Sequence, residues 1–285
     1  MSGALAFAGH LGLRVSKLPL LVYAARSKGP LVQIEALAEH GFKGVQDVFL
    51  KARSVSQQKV MSSRMAALGL SMGTFNGDPQ HWNTPLWSSR DEDARFLLRQ
   101  NLQKSIEVAE RMGGGAAVCV CGADPSRPHD AQLSGMIDNL KELGETAAKS
   151  GLTLLVEPVA KAWIPGLLIG TLQDAASVVR AVNLPSVQLL YDTGHVALAG
   201  EDVLTGLQDH WDIVGGVQVS DVPGRIDIGV GTLDWTAIFG WLSSQGYSGL
   251  VEVEHDPMER SRQGGAKLLE RLRTLAPVGS FSHPR

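Results

Sequence analysis

The sequence predicts an α/β protein whose strands close into a ring, a (β/α)8 TIM barrel. Three observations predict it. Short apolar runs alternate with helix-patterned stretches from one end of the chain to the other, which is the pattern of a parallel sheet. Eight of each can be counted, and that number favours closure over an open sheet. The runs are also continuously apolar rather than alternating, as strands buried on both faces are. A chain of 285 residues with 44% hydrophobic content exceeds the usual single-core size, for which barrels of about 250 residues are the standing exception. One domain is expected over residues 1–276, followed by a flexible-looking tail, PVGSFSHPR, over 277–285.

The strand runs fall at about 4–9, 44–49, 70–75, 116–121, 152–157, 187–192, 214–219 and 249–254, with boundaries uncertain by about two to four residues. Between them, LVQIEALAEHG, SVSQQKVMSSRMAALG, DEDARFLLRQNLQKSIEVAERMG and SGMIDNLKELGETAAKSG carry apolar residues at spacings of three and four and end on Gly. That is a helix with its C-cap. TLQDAASVVRAV, GEDVLTGLQDH, DWTAIFGWLSSQG and GGAKLLERLRTL continue the alternation. The glycines of RMGGGAA follow a helix and precede a strand, the wrong order for a dinucleotide loop, so they read as a helix stop and tight turn. The stretch from Asn76 to Arg90 is long and rich in Trp and Pro, suited to covering the barrel mouth.

Charge and composition narrow the partners. Lys plus Arg total 26 against 29 Asp plus Glu, a formal charge of -3, and the basic residues are scattered. No phosphate-backbone surface is advertised, so no nucleic-acid partner is expected. No targeting segment and no apolar run of about 18 residues appears, which reads as a cytoplasmic protein with no membrane partner. Cys119 and Cys121 lie two apart, on one face of a strand and badly placed to bridge each other, so they read as small buried residues.

The chemistry concentrates where apolar runs give way to loops. LTLLVEP, VQLLYDTGH, VGGVQVSD and GLVEVEHDP place Glu157, Asp192, Gln218 and Glu254 at or near strand ends, at intervals of 35, 26 and 36 residues. Each interval is about what one strand, one helix and two connections consume, so the four converge at the carboxyl face of a barrel, where its active sites lie. Three carboxylates and an amide oxygen form a hard donor set suited to Mg²⁺ or Mn²⁺. Plainer readings stand beside this one: Glu157 as a rim charge, Asp192 as a turn cap, Gln218 as an interior amide, and Arg225, after a Pro-Gly turn, as a solvated loop residue. His195 adds a donor within reach of a bound substrate, although a lone His is more often structural. Glu252 shares the parity of Glu254 and would face the interior one layer lower or pair with a cation.

In that order, LLVEP, YDTGH, VQVSDVPGR followed by GVGTLDW, and GYSGLVEVEHDP resemble the xylose isomerase-like TIM barrels, the sugar phosphate isomerase/epimerase family, and most closely its hydroxypyruvate isomerase branch. The likeness is good over about residues 140–257 and weaker before that, although GTFNGDP on the third strand and IPG with GTLQDA after the fifth also resemble that branch. The resemblance implies one divalent ion held by Glu157, Asp192, Gln218 and Glu254. It makes Glu157 and Glu254 the pair that exchanges the substrate proton, and puts His195, Arg225, Asn76 and His10 at substrate-contacting positions. Gln218, where many sugar epimerase relatives have His, points to the hydroxypyruvate branch. Departures touch the substrate: Gln46 or Asp47 stands where relatives usually have Glu, His10 where the branch tends to have Asn, and Ala160 and Lys161 where it often has polar residues.

The function expected is therefore a divalent-metal-dependent isomerisation of a small hydroxy-carbonyl or sugar-acid substrate through an enediolate, with no organic cofactor. Epimerisation of a ketose beside its carbonyl is the alternative, using the same pair and the same ion. Two further classes share the barrel. An abasic-site endonuclease would need a His-rich multi-metal cluster and a basic groove, and the sequence offers neither. A non-catalytic sugar-binding barrel would not require opposed glutamates. A homo-oligomer is compatible with the sequence.

Overall fold

Each expected apolar run forms a strand. The structure is a computed structural model that describes residues 3–14 and 17–281. Its strands are β1 (Ala6–His10), β2 (Gly44–Gln46), β3 (Ser71–Met72), β4 (Thr74–Asn76), β5 (Ala116–Cys119), β6 (Thr153–Val156), β7 (Val187–Asp192), β8 (Val214–Val219) and β9 (Leu250–Val253). They pair in parallel in the order β3-β2-β1-β9-β8-β7-β6-β5-β4. The two ends of that order are halves of one strand joined at Gly73. The Gly73 N–H donates to the Val45 carbonyl at 2.8 Å, and its carbonyl accepts from Ala116 N at 3.3 Å. The ring therefore closes as eight strands, and β3 and β4 are the predicted third. Gly73 has no room for a side chain, since a Cβ there would lie 2.2 Å from Glu252 Oε1.

Helices α1 (Val22–Ala25), α2 (Pro30–Glu39), α3 (Val55–Ala67), α4 (Glu92–Met112), α5 (His129–Lys149), α6 (Leu172–Val182), α7 (Thr193–Leu198), α8 (Val203–Asp209), α9 (Trp235–Ser244) and α10 (Arg262–Leu275) surround it. Eight of them correspond to the periodic stretches of the sequence. The other two, α1 and α7, are too short to show a period. Caps fix where the helices begin: Ser54 makes a capping box with Gln57, and Asp91, Thr171, Asp202, Asp234 and Ser261 each accept from a backbone N–H three residues on, each cap worth about 1 kcal/mol. Among the described residues no helix is long and apolar enough to cross a membrane.

The main core lies between ring and helices, where Phe7, Val45, Phe75, Leu154, Tyr191, Val217 and Phe239 are buried. A smaller cluster of Val118, Leu155 and Leu190 lies apart from it, on the inward face of β5–β7. Cys119 and Cys121 are free and buried, and burial pushes both thiols up, in keeping with their reading as core residues. The described part of the tail is docked rather than frayed. Leu5 N donates to Ser280 Oγ at 2.9 Å, and Phe281 stacks on Phe7 at 4.8 Å and meets Phe42 edge-on at 5.2 Å. Residues 282–285 of that predicted tail lie outside the described residues.

Candidate active site

Ladder register decides which side chains face inward. Parallel neighbours point to the same side of the sheet. Val118 pairs with Leu155, Asp192 with Gln218, Gln218 with Glu252, Glu252 with Ala8, and His10 with Gln46. Counting by twos from these pairs puts Asn76, Glu157 and Glu254 on the same inward face. A cavity of about 360 Å³ opens there, with Gln46, Thr74, Asn76, Glu157, His195, Gln218, Arg225 and Glu254 on its wall. Asp192 is wholly buried and bonded to Arg225 and His195. Asp192, Glu157 and His195 each offer a ligand atom within 4.8 Å of the others.

One guanidinium organises the carboxylates. Arg225 donates from Nη1 to both oxygens of Asp192 at 2.8 Å, and from Nη2 to Glu254 Oε1 at 3.0 Å and the Glu254 carbonyl at 3.1 Å. The remaining oxygen of Glu254 accepts from Gln46 Nε2. One layer lower, Glu252 accepts from Thr74 N at 2.5 Å, Thr74 Oγ1 at 2.6 Å and Gln218 Nε2 at 3.0 Å. In both glutamine–glutamate pairs the carboxylate fixes the amide with its NH₂ inward, leaving Gln46 Oε1 and Gln218 Oε1 buried without a partner. Asp192 also caps α7, accepting from His195 N at 3.0 Å, so the cap reading holds for a residue that also stands in the cluster.

The loop bearing Arg225 is held by Asp221. Its carboxylate accepts from the backbone N–H of Val222, Gly229, Gly231 and Leu233 and from Trp235 Nε1, at 2.8 to 3.2 Å. Arg225 itself has φ 55 and is only 7% exposed. Arg225 lines the cavity, where its fork engages Asp192 and Glu254. His10 is held by backbone groups on both sides of its ring. Gly12 N donates to its Nδ1 at 3.2 Å, so its Nε2 carries the proton, which it donates to the His255 carbonyl at 2.9 Å. Both ring nitrogens are occupied, burial lowers its pKa to about 3, and the ring does not line the cavity.

Electrostatics follow from burial. Desolvation, then Glu254 and Asp192, hold the Glu157 carboxyl well above its ordinary range. Burial lifts Glu254 to about 7, opposed by Arg225 and reinforced by Asp192. Burial also works against ionising Asp192, but Arg225 outweighs it and holds that carboxyl below its usual value. His195, 3.6 Å from Glu157 Oε1, is lowered to about 3 by burial and then by Arg225, and so is neutral. Three carboxyl groups, Asp192, Glu254 and Glu157, thus share the field of one guanidinium, while burial pushes up the Glu252 carboxyl one layer lower.

The residues fit a divalent cation. The clustered carboxyl groups, the unpartnered Gln218 Oε1, and a lone pair remaining on Asp192 Oδ2 once its contact with Arg225 is counted are what such an ion uses. Of the donors expected from sequence, the structure gathers Glu157 and Asp192 and adds His195. It leaves Gln218 on the same wall and turns Glu254 toward Arg225 and Gln46. Sequence reasoning missed Asp221 and Thr74. Asp221 stands in SDVPG, directly after a strand run, and that position was the available signal.

A buried acidic cluster with a histidine at the carboxyl face of a closed β/α ring defines a barrel equipped to hold a divalent metal. The model of the xylose isomerase-like TIM barrel family matches residues 34–275, and the chain belongs to that family. It is similar to the 2-oxo-tetronate isomerase of Cupriavidus necator, at 24% identity over 82% of this chain and 90% of that protein. It is similar to the hydroxypyruvate isomerase of Escherichia coli at 24% over 82% and 90%, and to the 3-dehydro-D-guloside 4-epimerase of Escherichia coli at 30% over 84% and 93%. Among solved structures, a family 2 AP endonuclease from Brucella melitensis superposes with a TM-score of 0.78 at 23% identity, over 94% of this chain and 99% of that one, which speaks to the fold. Family and cluster together support metal-assisted isomerisation of a small sugar-derived substrate.

Proposed function

We propose that the chain is a divalent-metal-dependent sugar epimerase, removing the proton from a carbon beside a carbonyl and returning one to the opposite face. The observation that carries this reading is the pair Glu157 and Glu254. They line one cavity from the ends of strands β6 and β9 and feel each other's charge. Two carboxyls flanking one carbon invert it, because one takes the proton as the other delivers. The cavity of about 360 Å³ falls within the ~300–1,000 Å³ of small-molecule sites, generous for a three-carbon acid. The relative at 30% identity is named a 4-epimerase, in the same direction.

Glu157, Asp192 and His195, with Gln218 and Glu254 beside them, would hold the ion, Mg²⁺ or Mn²⁺ by the hardness of the donors. When bound, it supplies electrophilic stabilisation of the negative charge that develops on the substrate oxygens. The protein does the rest. Arg225 and Gln46 fix the two oxygens of Glu254, so this carboxyl meets its carbon in one orientation. Neutral His195 presents a ring nitrogen beside Glu157 as a donor that adds no charge.

The second reading, an aldose–ketose isomerisation like that of hydroxypyruvate isomerase, is favoured by Gln218 and by the relatives at 24% identity. Proton NMR in D₂O separates the two. Epimerisation puts deuterium on the inverted carbon with the carbonyl unmoved. Isomerisation moves the carbonyl and labels its neighbour. Incubation with Mn²⁺, ketohexoses and hydroxypyruvate, with chelated controls, should give the first pattern; the second pattern, or no exchange at all, rejects the epimerase.

A further inference from the structure

The floor of the cavity carries its carboxyls and amides; its upper wall is mixed, with a large apolar share. Residues on strands or at their ends supply the carboxyls and amides, whereas the loops above contribute Leu13, Trp82, Trp163, Ile164, Leu167 and Met258, with Arg14, Asp256 and Arg260 beside them. A wall of this kind adds affinity only against apolar surface that leaves water with it. A free sugar, with hydroxyls on every side, offers the apolar part of this wall little.

The wall is built rather than incidental. The loop carrying Trp163 is pinned by Val159 N to the Ile169 carbonyl at 3.1 Å, by Leu168 N to Cys121 O at 2.8 Å, and by Ala123 N to Gly166 O at 2.8 Å. The loop carrying Trp82 is tied to the same short segment, because Gly122 N donates to Thr84 O at 2.9 Å. It sits so close that a Cβ on Gly122 would lie 2.1 Å from the Asn83 carbonyl. Asp78 holds that loop from behind, accepting from His81 N at 3.0 Å and Asn101 Nδ2 at 2.7 Å. Arg14 lies over the Trp82 ring, 4.1 Å from its centroid. Trp163 and Met258 nevertheless stay 40% and 52% exposed while lining the cavity.

We propose that this wall is a subsite for a ring-sized apolar substituent, an aryl or cyclic alkyl aglycone, so that the chain acts on glycosides or comparable conjugates rather than on free triose acids. Trp163 is its platform. The proposal rests on the reading of the floor as the reacting half of the cavity and names what the other half holds.

Binding of phenyl and methyl D-glucopyranosides, both anomers of each, to the Mn²⁺-loaded protein tests it by tryptophan fluorescence. Stacking and burial of the phenyl ring should make the better phenyl anomer about tenfold tighter than its methyl counterpart. Trp163→Ala should bring that ratio close to one, and Trp163→Phe should keep most of it. Equal affinity for phenyl and methyl glycosides, no saturable phenyl glycoside binding, or a Trp163→Ala variant that weakens both alike overturns the subsite. Deuterium exchange on ketohexoses is read separately. Exchange without aryl preference removes the subsite alone, and aryl preference without exchange removes the reading of the floor alone.

Discussion

Replacing Glu254 with Gln should change how stability depends on pH, by an amount the structure sets. Burial lifts this carboxyl from an ordinary value of 4.5 to about 7 against the pull of Arg225. Between those two values the unfolded chain has lost a proton that the folded chain keeps. Stability contributed by the group is therefore complete below about 4.5 and is lost as pH rises through about 7. Each pH interval of one between the two values is worth ~1.4 kcal/mol, so the loss amounts to about 3 kcal/mol. Glu254→Gln removes the titration while keeping an acceptor for Arg225, and Gln46 can flip its amide to present the unpartnered Oε1. Urea unfolding at pH 5 and pH 8 in EDTA, on wild type and variant, gives the difference of differences. Wild type should lose about 2.5 kcal/mol more than the variant across that range, which leaves out the first half pH unit of the window. Equal losses would show that Glu254 is not held protonated by its burial.

Glu157→Gln or Glu254→Gln should each lower deuterium exchange into substrate by about 10²–10⁴-fold with unchanged circular dichroism; exchange near the wild-type rate in either variant removes that residue from proton transfer. Mn²⁺ at a hundred times its dissociation constant should stabilise the wild type by about 2.7 kcal/mol, reversed by EDTA and absent in Glu157→Gln, as read by thermal midpoints. Gly73→Ala places a methyl 2.2 Å from Glu252 Oε1 and should cost roughly 1–3 kcal/mol or more; a neutral result would mean the strand shifts freely there. Phe281→Ala removes two ring contacts and should cost roughly 2 kcal/mol, less than a fully buried Phe at ~3–5, in the same denaturation assay.

The barrel was legible because its strands are buried on both faces and so read as uninterrupted apolar runs, and because Ser54, Asp91 and Thr171 announce their helices through capping chemistry that is local in sequence. Gly73 was not legible as a break, since what excludes a side chain there is a carboxylate arriving from Glu252, 179 residues along the chain. The donors at strand ends could be named because barrel topology fixes which end of a strand bears chemistry. Their mutual arrangement could not. Arg225 meets Asp192 and Glu254 only because Asp221 gathers five donors and folds its loop back over the ring. The partner of His10, the carbonyl of His255, is invisible to any local pattern. The tail read as frayed because one Phe among small polar residues gives no period, and its docking depends on Phe7 and Phe42 near the opposite end of the chain.

The hydrogen bond from Leu5 to Ser280, together with that from Ser243 Oγ to the Gly3 carbonyl at 2.5 Å, brings the two described extremities of the polypeptide side by side below the ring. A short peptide joining them would leave every ladder intact, so the chain is open to circular permutation. New ends cut into an exposed helix connection would relocate the break without touching the acidic centre at the other pole.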